Sequence, residues 1–326
     1  MNSNDNKDEG GKIDVSVIIV NWNAKELLKA CLDSIYATIH NLTFEVIVID
    51  NGSKDRSVAM LEERYPQVVK ICNPENRGFG AANNQGFAVM KGKYALLLNT
   101  DAVLTPDAIS KLWTFAEAQP LTAIVCGQLL NADGSRQNSI AAFPTLLTLL
   151  VNSSLLEYLF PQSYPSKRYE HKKPVEVDSA IGACMLIRKQ ALDEVGLFDE
   201  RYFFFFEETD LAYALRAAGW KVYQVPDAFV YHLQGQSIGH NINSRIEFYK
   251  SRYQFLRKWY SPLYYYSASG VIILRLLIDW ILNFAAFTFS LGLIKSIRQR
   301  LAIYSQLIFW YFYKKIIKRN TYALKD

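Results

Sequence analysis

Val48-Ile49-Asp50-Asn51-Gly52-Ser53-Lys54-Asp55 is the stretch of this sequence that decides its fold. The apolar run Phe44–Ile49 predicts a buried strand, and this strand ends in a carboxylate, a glycine turn and a polar segment. A second such strand, Tyr94–Leu98, also ends in a polar triplet that includes Asp101. Open α/β sheets bind ligands at the carboxyl ends of their parallel strands, so Asp50 and Asp101 are expected to face one site.

Charged and aromatic residues are distributed unevenly along the 326-residue chain, whose net charge is +5 and half of whose residues are hydrophobic. Residues 241–326 contain fourteen Lys or Arg, three Asp or Glu and twenty aromatic residues. They carry +11, so the other residues carry −6. Such a segment is typical of one that contacts an anionic membrane surface. The long Val, Ile and Leu runs argue against nucleic acid as a partner.

Strands and helices alternate four times in the first 118 residues, which predicts an α/β fold with a mostly parallel sheet and helices on both faces. The strands are predicted over Val15–Val20, Phe44–Ile49, Val68–Cys72 and Tyr94–Leu98, and the helices over Lys25–Ile39, Ser57–Tyr65, Gly80–Met90 and 106–118. Residues 1–12 are polar and predict a disordered tail that is not a signal peptide. Residues 13–240 form the predicted α/β domain, and 241–326 form a helical appendage.

The second half of the chain is less regular. Further strands are predicted over Ala123–Leu130, Val177–Ile187, Val222–Val225 and Phe229–His232, and appendage helices over about 242–259, 267–291 and 293–318. Residues 135–175 contain four prolines and no clear periodicity. A loop of that length in a compact domain is commonly functional, so it is interpreted as a substrate-binding flap.

The four cysteines, Cys31, Cys72, Cys126 and Cys184, form no CxxC pair and lie in or beside apolar patterns. The pattern favours buried, reduced thiols in a cytosolic protein.

Polar and aromatic side chains follow the first strand at Val20, Asn21, Trp22 and Asn23. A flat indole beside two amides suits stacking on a nucleobase and hydrogen bonding to it. A core Trp with Asn turn residues is an equally good interpretation of this segment alone. Asp50 is a candidate acceptor for a base or ribose hydrogen bond, and a turn aspartate is the alternative.

A glycine-containing loop, Asn76, Arg77, Gly78, precedes a helix that bears Asn83. Glycine lets the backbone approach a phosphate closely, and Arg77 adds positive charge. A dinucleotide fingerprint would instead need GxGxxG directly after the first strand, which argues against a nicotinamide enzyme.

Asp101 is the candidate metal ligand, because hard divalent cations take oxygen ligands and often only one or two protein carboxylates. Asn99 and Thr100 precede it, and His232 at the end of a later strand is a candidate further ligand. A lone histidine is more often structural.

Four phenylalanines, 203–206, run directly into Glu207, Glu208 and Asp210 at a predicted helix start. Apolar surroundings raise a carboxylate pKa and suit a general base, whereas the helix N-terminus favours the anion. An acidic helix cap is the alternative interpretation.

Taken together, these segments resemble the family 2 inverting glycosyltransferases, and most closely their bacterial rhamnosyltransferase and galactofuranosyltransferase branch. The resemblance covers about residues 13–240, where VIIVNWN, VIDNGSKD, NRGFGAANNQG, LLLNTD, IGACMLIR, FDERYFFFFEETDLAYALRAAGW and VYH occur in the family's order. It implies a GT-A fold with Trp22 near the base and Asp50 at the nucleoside. Gly182, in IGACMLIR, is placed with the donor-binding residues.

By the same resemblance, Asp101 matches the metal-binding aspartate of the family's Asp-x-Asp motif, whose first aspartate is replaced here by Asn99. His232 matches a metal-coordinating histidine of the galactofuranosyl branch. Glu208 is the best match to the base, with Glu207 as the second choice, and Asp210 and Arg216 are supports.

The implied reaction is a single displacement. The base takes a proton from an acceptor hydroxyl, which attacks a nucleoside-diphosphate sugar, and Mg²⁺ or Mn²⁺ assists. The donor is deoxythymidine-diphosphate rhamnose or, alternatively, a uridine-diphosphate hexose. The acceptor is a glycan or a lipid-linked glycan of cell-surface polysaccharide synthesis. A non-catalytic sugar-nucleotide or glycan-binding module is the alternative function.

Residues 267–291 are apolar for about the length of a membrane span but contain Arg275 and Asp279, four residues apart, which are predicted to pair. Ionisable groups are costly at mid-bilayer, so helices lying in the plane of the cytoplasmic membrane face, or a hairpin, are favoured over a span. The alternative is that the same faces pair in a homo-oligomer.

Overall fold

The computed structural model describes residues 12–165, 171–233 and 242–323, with side chains described up to residue 313. The chain divides into two compact units. Among the described residues, the first unit holds 12–141, 171–201 and 207–233, and the second holds 142–165, 202–206 and 242–323. The tail predicted over 1–12 falls outside the described residues except for Lys12.

The first unit is built on one mixed sheet. Its strands are β1 (Val15–Asn21), β2 (Phe44–Asp50), β3 (Val69–Cys72), β4 (Tyr94–Leu98), β5 (Ala102–Leu104), β6 (Thr122–Leu130), β8 (Val175–Glu176), β10 (Cys184–Arg188) and β11 (Lys221–His232). Two further short strands, β7 (Ile140–Ala141) and β9 (Ser179–Ala180), pair in a separate sheet. The order across the sheet is β3-β2-β1-β4-β10-β6-β11-β5, and β8 pairs with β11. Its edges are short strands: the four-residue β3 on one side, and the three-residue β5 and two-residue β8 beside β11 on the other.

The parallel arrangement predicted from the alternation holds over β3, β2, β1 and β4. Val15 pairs with Phe44 and Asn21 with Asp50, so β1 and β2 end side by side. Further on, β10 runs antiparallel to both β4 and β6, whereas β11 runs parallel to β6. The carboxyl end of β11 lies beside β5, which pairs His232 with Ala102.

Helices cover the sheet because each presents an apolar stripe at helical spacing. The helices of the first unit are α1 (Lys25–Thr38), α2 (Ser57–Arg64), α3 (Phe79–Val89), α4 (Ala108–Ala118), α7 (Lys189–Val195) and α8 (Glu207–Ala217). In α1 the buried stripe contains Leu28, Leu32 and Ile35, which pack in one core with Val17 of β1 and Leu96 of β4.

Several elements differ from the sequence-based prediction. The apolar segment predicted as one strand over Val177–Ile187 is divided between β9 and β10, and the two strands predicted between Val222 and His232 form one irregular strand, β11. Residues 135–165 are not entirely irregular, because two short helices, α5 (Leu146–Leu150) and α6 (Ser153–Leu159), form there. Thr145 caps α5 in a capping box with Thr148, and Asn152 caps α6.

The second unit contains the three predicted appendage helices, which are α9 (Ile242–Trp259), α10 (Pro262–Phe289) and α11 (Lys295–Ala323). Leu256 of α9, Ile272 and Leu276 of α10 and Leu307 of α11 form one apolar core with Leu149 of α5. The predicted pair Arg275–Asp279 is wrong: Arg275 donates to the Leu149 carbonyl at 2.9 Å, and in the described part of the chain no ion pair joins it to Asp279.

Among the described residues, only α10 is both long enough and apolar enough to cross a membrane. Helices α10 and α11 form an antiparallel hairpin in which Trp280 Nε1 donates to Ser305 Oγ at 2.8 Å. Residues 290–294 form the turn, and its Leu291 and Gly292 have left-handed backbone conformations.

Candidate functional site

Polar side chains at the ends of β1 and β2 form one hydrogen-bonded network. Asp50 is 3 % exposed. Its Oδ2 accepts from Asn21 Nδ2 at 2.9 Å, and its Oδ1 accepts from the Ser53 backbone N–H at 2.9 Å. No donor reaches the buried Asn21 Oδ1 within the residues that the structure describes. Asp50 therefore fixes the turn after β2 as predicted by the turn interpretation, and the network presents an amide oxygen that a ligand can use.

Trp22 protrudes beyond the end of β1 with 48 % of its surface exposed. It is therefore not a core tryptophan, because a core indole would be enclosed. Val20, within β1, is half-buried, and Asn23 accepts from the Lys54 N–H at 2.7 Å, which ties the segment after β1 to the turn after β2. An exposed indole on a tied loop is suited to stacking on a planar ligand.

Asn51, which sequence reasoning missed, organises the loop before α3. Its Nδ2 donates to Asn76 Oδ1 at 2.9 Å, and its Oδ1 accepts from the Arg77 backbone N–H at 3.1 Å. Gly78 has φ +89°, a conformation that only glycine adopts without strain. Arg77 Nη2 lies 3.9 Å from Glu200 Oε2, and both side chains are exposed, so this ion pair is weak.

The two asparagines of α3 hold structure together. Asn83 is buried and donates to the Phe79 carbonyl at 2.9 Å within its own helix. Asn84 exchanges two hydrogen bonds with the backbone of Phe198, at 2.9 and 3.0 Å, and so fixes the segment that leads toward α8.

The end of β4 lies beside the start of β10, since the Asn99 N–H donates to the Ala183 carbonyl at 3.0 Å. The Asn99 side chain is half-buried and makes no hydrogen bond within the described chain, whereas Thr100 is buried. An added Cβ at Gly182 would meet the Phe79 ring at 3.8 Å, an ordinary contact. Packing therefore does not require a glycine at position 182.

Asp101 and His232 meet as predicted from their places after β4 and at the end of β11. Both are buried, and His232 Nε2 lies 3.3 Å from Asp101 Oδ1. Gln137, missed from the sequence, sets the histidine tautomer. Its NH₂ group donates to the His232 carbonyl and to Asn131 Oδ1 at 2.7 Å, so Gln137 Oε1 faces His232 Nδ1 at 3.0 Å and accepts its proton. The His232 Nε2 lone pair then points toward the Asp101 carboxylate.

An imidazole lone pair and a carboxylate oxygen that face each other fit a divalent cation, and the Gln137 contact is the orienting interaction that metal-bound histidines usually have. No group of three or more His, Cys, Asp or Glu side chains that suits a metal occurs in the described part of the chain. Two protein ligands are adequate for Mg²⁺ or Mn²⁺ when substrate phosphates and water complete the shell.

Glu207 and Glu208 begin α8, which packs against β9 and β11. Glu207 is 3 % exposed, and its Oε2 has no hydrogen-bond partner among the described residues. Burial, and then the neighbouring Glu208 charge, raise the pKa of Glu207 well above its ordinary value. Glu208 is half-buried, and burial raises its pKa to about 7. At neutral pH Glu208 is thus the member of the pair that exchanges a proton readily.

The predicted supports of this pair lie on the same helix. Asp210 is buried. Arg216, in the last turn, donates to Glu176 Oε1 and to the Val177 carbonyl, both at 3.0 Å, so it ties α8 to β8.

Sequence comparison places the chain among known proteins. The family model described as Glycosyl transferase family 2 matches residues 16–196. The N-acetylglucosaminyl-diphospho-decaprenol L-rhamnosyltransferase of Mycobacterium tuberculosis is 31 % identical over 239 residues, which cover 67 % of this chain and 78 % of that protein. The low-salt glycan biosynthesis hexosyltransferase Agl10 of Haloferax volcanii is 27 % identical, with 62 % of each chain covered.

Two solved structures share the fold at low sequence identity. The mannosyltransferase PcManGT from Pyrobaculum calidifontis, in complex with GDP-Man and Mn²⁺, has a TM-score of 0.54 and 18 % identity, covering 92 % of this chain and 86 % of that one. GalNAc-T7 with UDP, GalNAc and Mn²⁺ has a TM-score of 0.57 and 16 % identity, covering 78 % and 49 %. The predicted GT-A fold is confirmed.

Proposed function

This chain belongs to glycosyl transferase family 2 and is a glycosyltransferase, and we propose that it transfers a sugar from a nucleoside-diphosphate donor to a hydroxyl group by single displacement. The observation that carries the proposal is the pair Glu207–Glu208 at the start of α8, in the unit whose sheet also brings Asp101 to His232. A sheet edge with a cation site and a carboxylate of raised pKa is suited to displacement of a diphosphate.

Glu208 is the proposed base. Its carboxylate accepts the proton of the acceptor hydroxyl as the oxygen attacks the anomeric carbon and the bond to the diphosphate breaks. Glu207 and Asp210 hold the start of α8, and Arg216 anchors its end.

The donor nucleoside is proposed to stack on Trp22, with Asn21 Oδ1 accepting a hydrogen bond from the base or ribose. Arg77 is proposed to bind the donor phosphates, because its weak ion pair with Glu200 is easily exchanged for one with a phosphate. The sugar is proposed to approach the backbone closely at Gly182. This approach would explain why position 182 is a glycine although packing does not require one.

Asp101 and His232 are the residues that would hold a divalent cation, with Gln137 orienting the imidazole. When bound, the cation would neutralise the charge that develops on the leaving diphosphate. The Mn²⁺ in both similar structures supports a divalent cation of this kind.

The acceptor is proposed to be a lipid-linked glycan of surface-polysaccharide synthesis, and the sugar to be rhamnose, with a hexose as the alternative. The rhamnosyltransferase among the relatives, whose name includes a decaprenol diphosphate, supports both parts of this proposal. The hexosyltransferase Agl10 supports the alternative sugar.

The second unit is proposed to dock on the cytoplasmic face of the membrane. Of the 26 large apolar side chains that are exposed in the described chain, 21 lie in this unit. Lys295, Arg298 and Arg300 follow directly after the α10–α11 turn, where they would meet anionic headgroups.

A panel of sugar nucleotides with Mn²⁺ or with EDTA tests the proposed function, because a ligand that binds only the folded state raises its melting temperature. A deoxythymidine- or uridine-diphosphate sugar is expected to raise the melting temperature with Mn²⁺ and to raise it less with EDTA. If no sugar nucleotide changes the melting temperature under either condition, the proposed donor site is wrong.

A further inference from the structure

Arg252, on α9 of the second unit, carries a positive charge that no carboxylate balances among the residues that the structure describes. Its Nε is sealed from solvent and has no hydrogen-bond acceptor, and no ion pair reaches the guanidinium in the residues that the structure describes. Its Cζ instead lies over two rings of its own helix, 4.5 Å from the Phe248 centroid and 5.4 Å from that of Tyr249. Burial lowers the pKa of Arg252.

Aromatic faces compensate only part of the cost of enclosing a guanidinium, because they accept no hydrogen bonds. An anion bound to the guanidinium would supply the remaining compensation. The second unit contains few anionic side chains: residues 142–165, 202–206 and 242–313 include three carboxylates and nine Lys or Arg. One of the three, Glu247, already contacts Lys250 at 3.0 Å.

Other polar groups lie in the neighbourhood of Arg252. The Tyr253 hydroxyl is buried and has no hydrogen-bond partner within the described chain. Tyr253 and Tyr249 are close enough for the Arg252 charge to act on both. Arg275 of α10 is also near enough for its like charge to lower the pKa of Arg252 further. Two guanidinium groups and a phenol donor without an acceptor form a set of donors that suits an oxyanion.

Arg252 as a whole is only half-buried, so the enclosure of its Nε does not close off the entire side chain. The Nη edge is the part of arginine that binds phosphate oxygens in a bidentate manner.

We propose that Arg252, Tyr253 and Arg275 form a binding site for the diphosphate group of a lipid-linked acceptor. The site lies in the unit that carries most of the exposed apolar side chains, and a diphosphate attached to a hydrocarbon chain matches both features. The inference rests on the proposed function for the identity of the acceptor, whereas the anion site itself does not.

Titration with inorganic pyrophosphate in EDTA, followed by calorimetry, tests the anion site on the full chain under conditions that weaken binding at the cation-dependent donor site. Arg252→Gln is expected to weaken pyrophosphate binding at least tenfold. Arg257→Gln is the matched control: it removes the same charge from an exposed position of the same helix and is expected to leave the dissociation constant unchanged. Equal binding by wild type and Arg252→Gln would overturn the site.

Flotation with phosphatidylcholine vesicles distinguishes the sources of the anion. Vesicles doped with farnesyl diphosphate are expected to bind wild type at least tenfold more tightly than Arg252→Gln. Vesicles doped with phosphatidylglycerol are expected to bind both equally. If Arg252→Gln weakens binding to both anionic vesicles to the same extent, Arg252 contributes only to general membrane attraction and the diphosphate proposal is wrong.

Tyr253→Phe removes a single oxygen, so it keeps the test decisive if Arg252→Gln does not fold. It is expected to weaken pyrophosphate binding several-fold, and unchanged binding would count against the site. Donor binding, measured with sugar nucleotide and Mn²⁺, is expected to be the same in every variant. A chain that binds pyrophosphate through Arg252 but no sugar nucleotide would refute the proposed function and leave the anion site standing.

Discussion

Glu207 and Glu208 are neighbours in sequence with different environments, and their proposed roles rest on that difference. Glu208→Gln is expected to lower the rate of sugar transfer by about 10²–10⁴-fold, the usual contribution of a general base, while donor affinity stays the same. Glu207→Gln is the matched variant. It is expected to lower the rate of sugar transfer by a smaller factor, because the Glu207 side chain is fully enclosed. Transfer assays and nucleotide binding on both variants measure this. A larger loss from Glu207→Gln would reverse the assignment.

The raised pKa of Glu208 also predicts how transfer depends on pH. A base acts only when it is ionised, so kcat/KM is expected to fall as the pH drops below about 7 and to level off above it. An unperturbed glutamate would keep its activity down to about pH 4.3. The pH profile of kcat/KM from pH 5 to 9 tests the expectation. A flat profile down to pH 5 would mean that a different group is the base.

Gln137 is proposed to affect the cation site indirectly, through its contact with the His232 ring. Replacing Gln137 by Met keeps a similar volume but removes the acceptor at His232 Nδ1, so the tautomer is no longer fixed. The apparent affinity for Mn²⁺ is expected to fall by about 10–100-fold, as for other residues that orient metal ligands. Mn²⁺-dependent binding of nucleotide is the measurement, with Asp101→Asn as the reference for loss of a ligand. Unchanged Mn²⁺ affinity in Gln137→Met would contradict this role.

At this scale, residue types at strand ends identified Asp101 and His232, and the structure brings the two together. Gln137 and Asn51 were not identifiable in the same way. Gln137 reaches His232 across 95 positions of sequence, and glutamine is common in turns and strands that have no such contact. Asn51 looks like an ordinary turn residue, and only the fold shows that its amide holds the loop at Asn76 and Arg77.

At the scale of elements, β1, β2, β4 and β6 were predictable because burial on both faces produces uninterrupted apolar runs. The direction of β10 was not, because an apolar strand carries no mark of whether its neighbours run parallel or antiparallel. β5 has three residues, too few for any periodicity. The two helices between residues 146 and 159 are only five and seven residues long, and their capping residues were the sole local signal.

The turn between α10 and α11 presents the most exposed apolar side chains of the hairpin. Phe289, Leu291 and Leu293 are 90 %, 84 % and 80 % exposed, and Lys295 begins the next helix. Replacing Leu291 and Leu293 together by Asp is expected to reduce binding to phosphatidylglycerol vesicles at least tenfold, because both apolar contact and charge attraction are lost. Vesicle flotation measures the effect.

Leu263 supplies the control for this turn. It is 79 % exposed at the other end of the 28-residue α10, about 42 Å away along the helix axis. Leu263→Asp is expected to leave vesicle binding nearly unchanged if the turn inserts into the membrane. An equal loss from Leu263→Asp would indicate that α10 lies along the membrane over its whole length.

For the whole molecule, the sequence-based expectation of four buried thiols is wrong at one position. Cys31, Cys126 and Cys184 are buried and have raised pKa values, whereas Cys72 is exposed at the end of the edge strand β3. The apolar pattern did not reveal the exposure of Cys72, because an edge strand has the same composition as a central strand but pairs with only one neighbour. A thiol reagent is expected to modify one cysteine rapidly in the folded chain and three more in denaturant. Two or more fast thiols in the folded chain would contradict the arrangement.

The shortness of the edge strands β3 and β5 affects how readily the protein aggregates at high local concentration. A growing fibril or a misfolded neighbour recruits a sheet by adding a strand along an unpaired border, and it needs several free amides in a row to do so. Among the described residues, this sheet is bordered by the four-residue β3 on one side and by the three-residue β5 and the two-residue β8 on the other. A nine-stranded sheet with borders this short is therefore a poor template for amyloid growth.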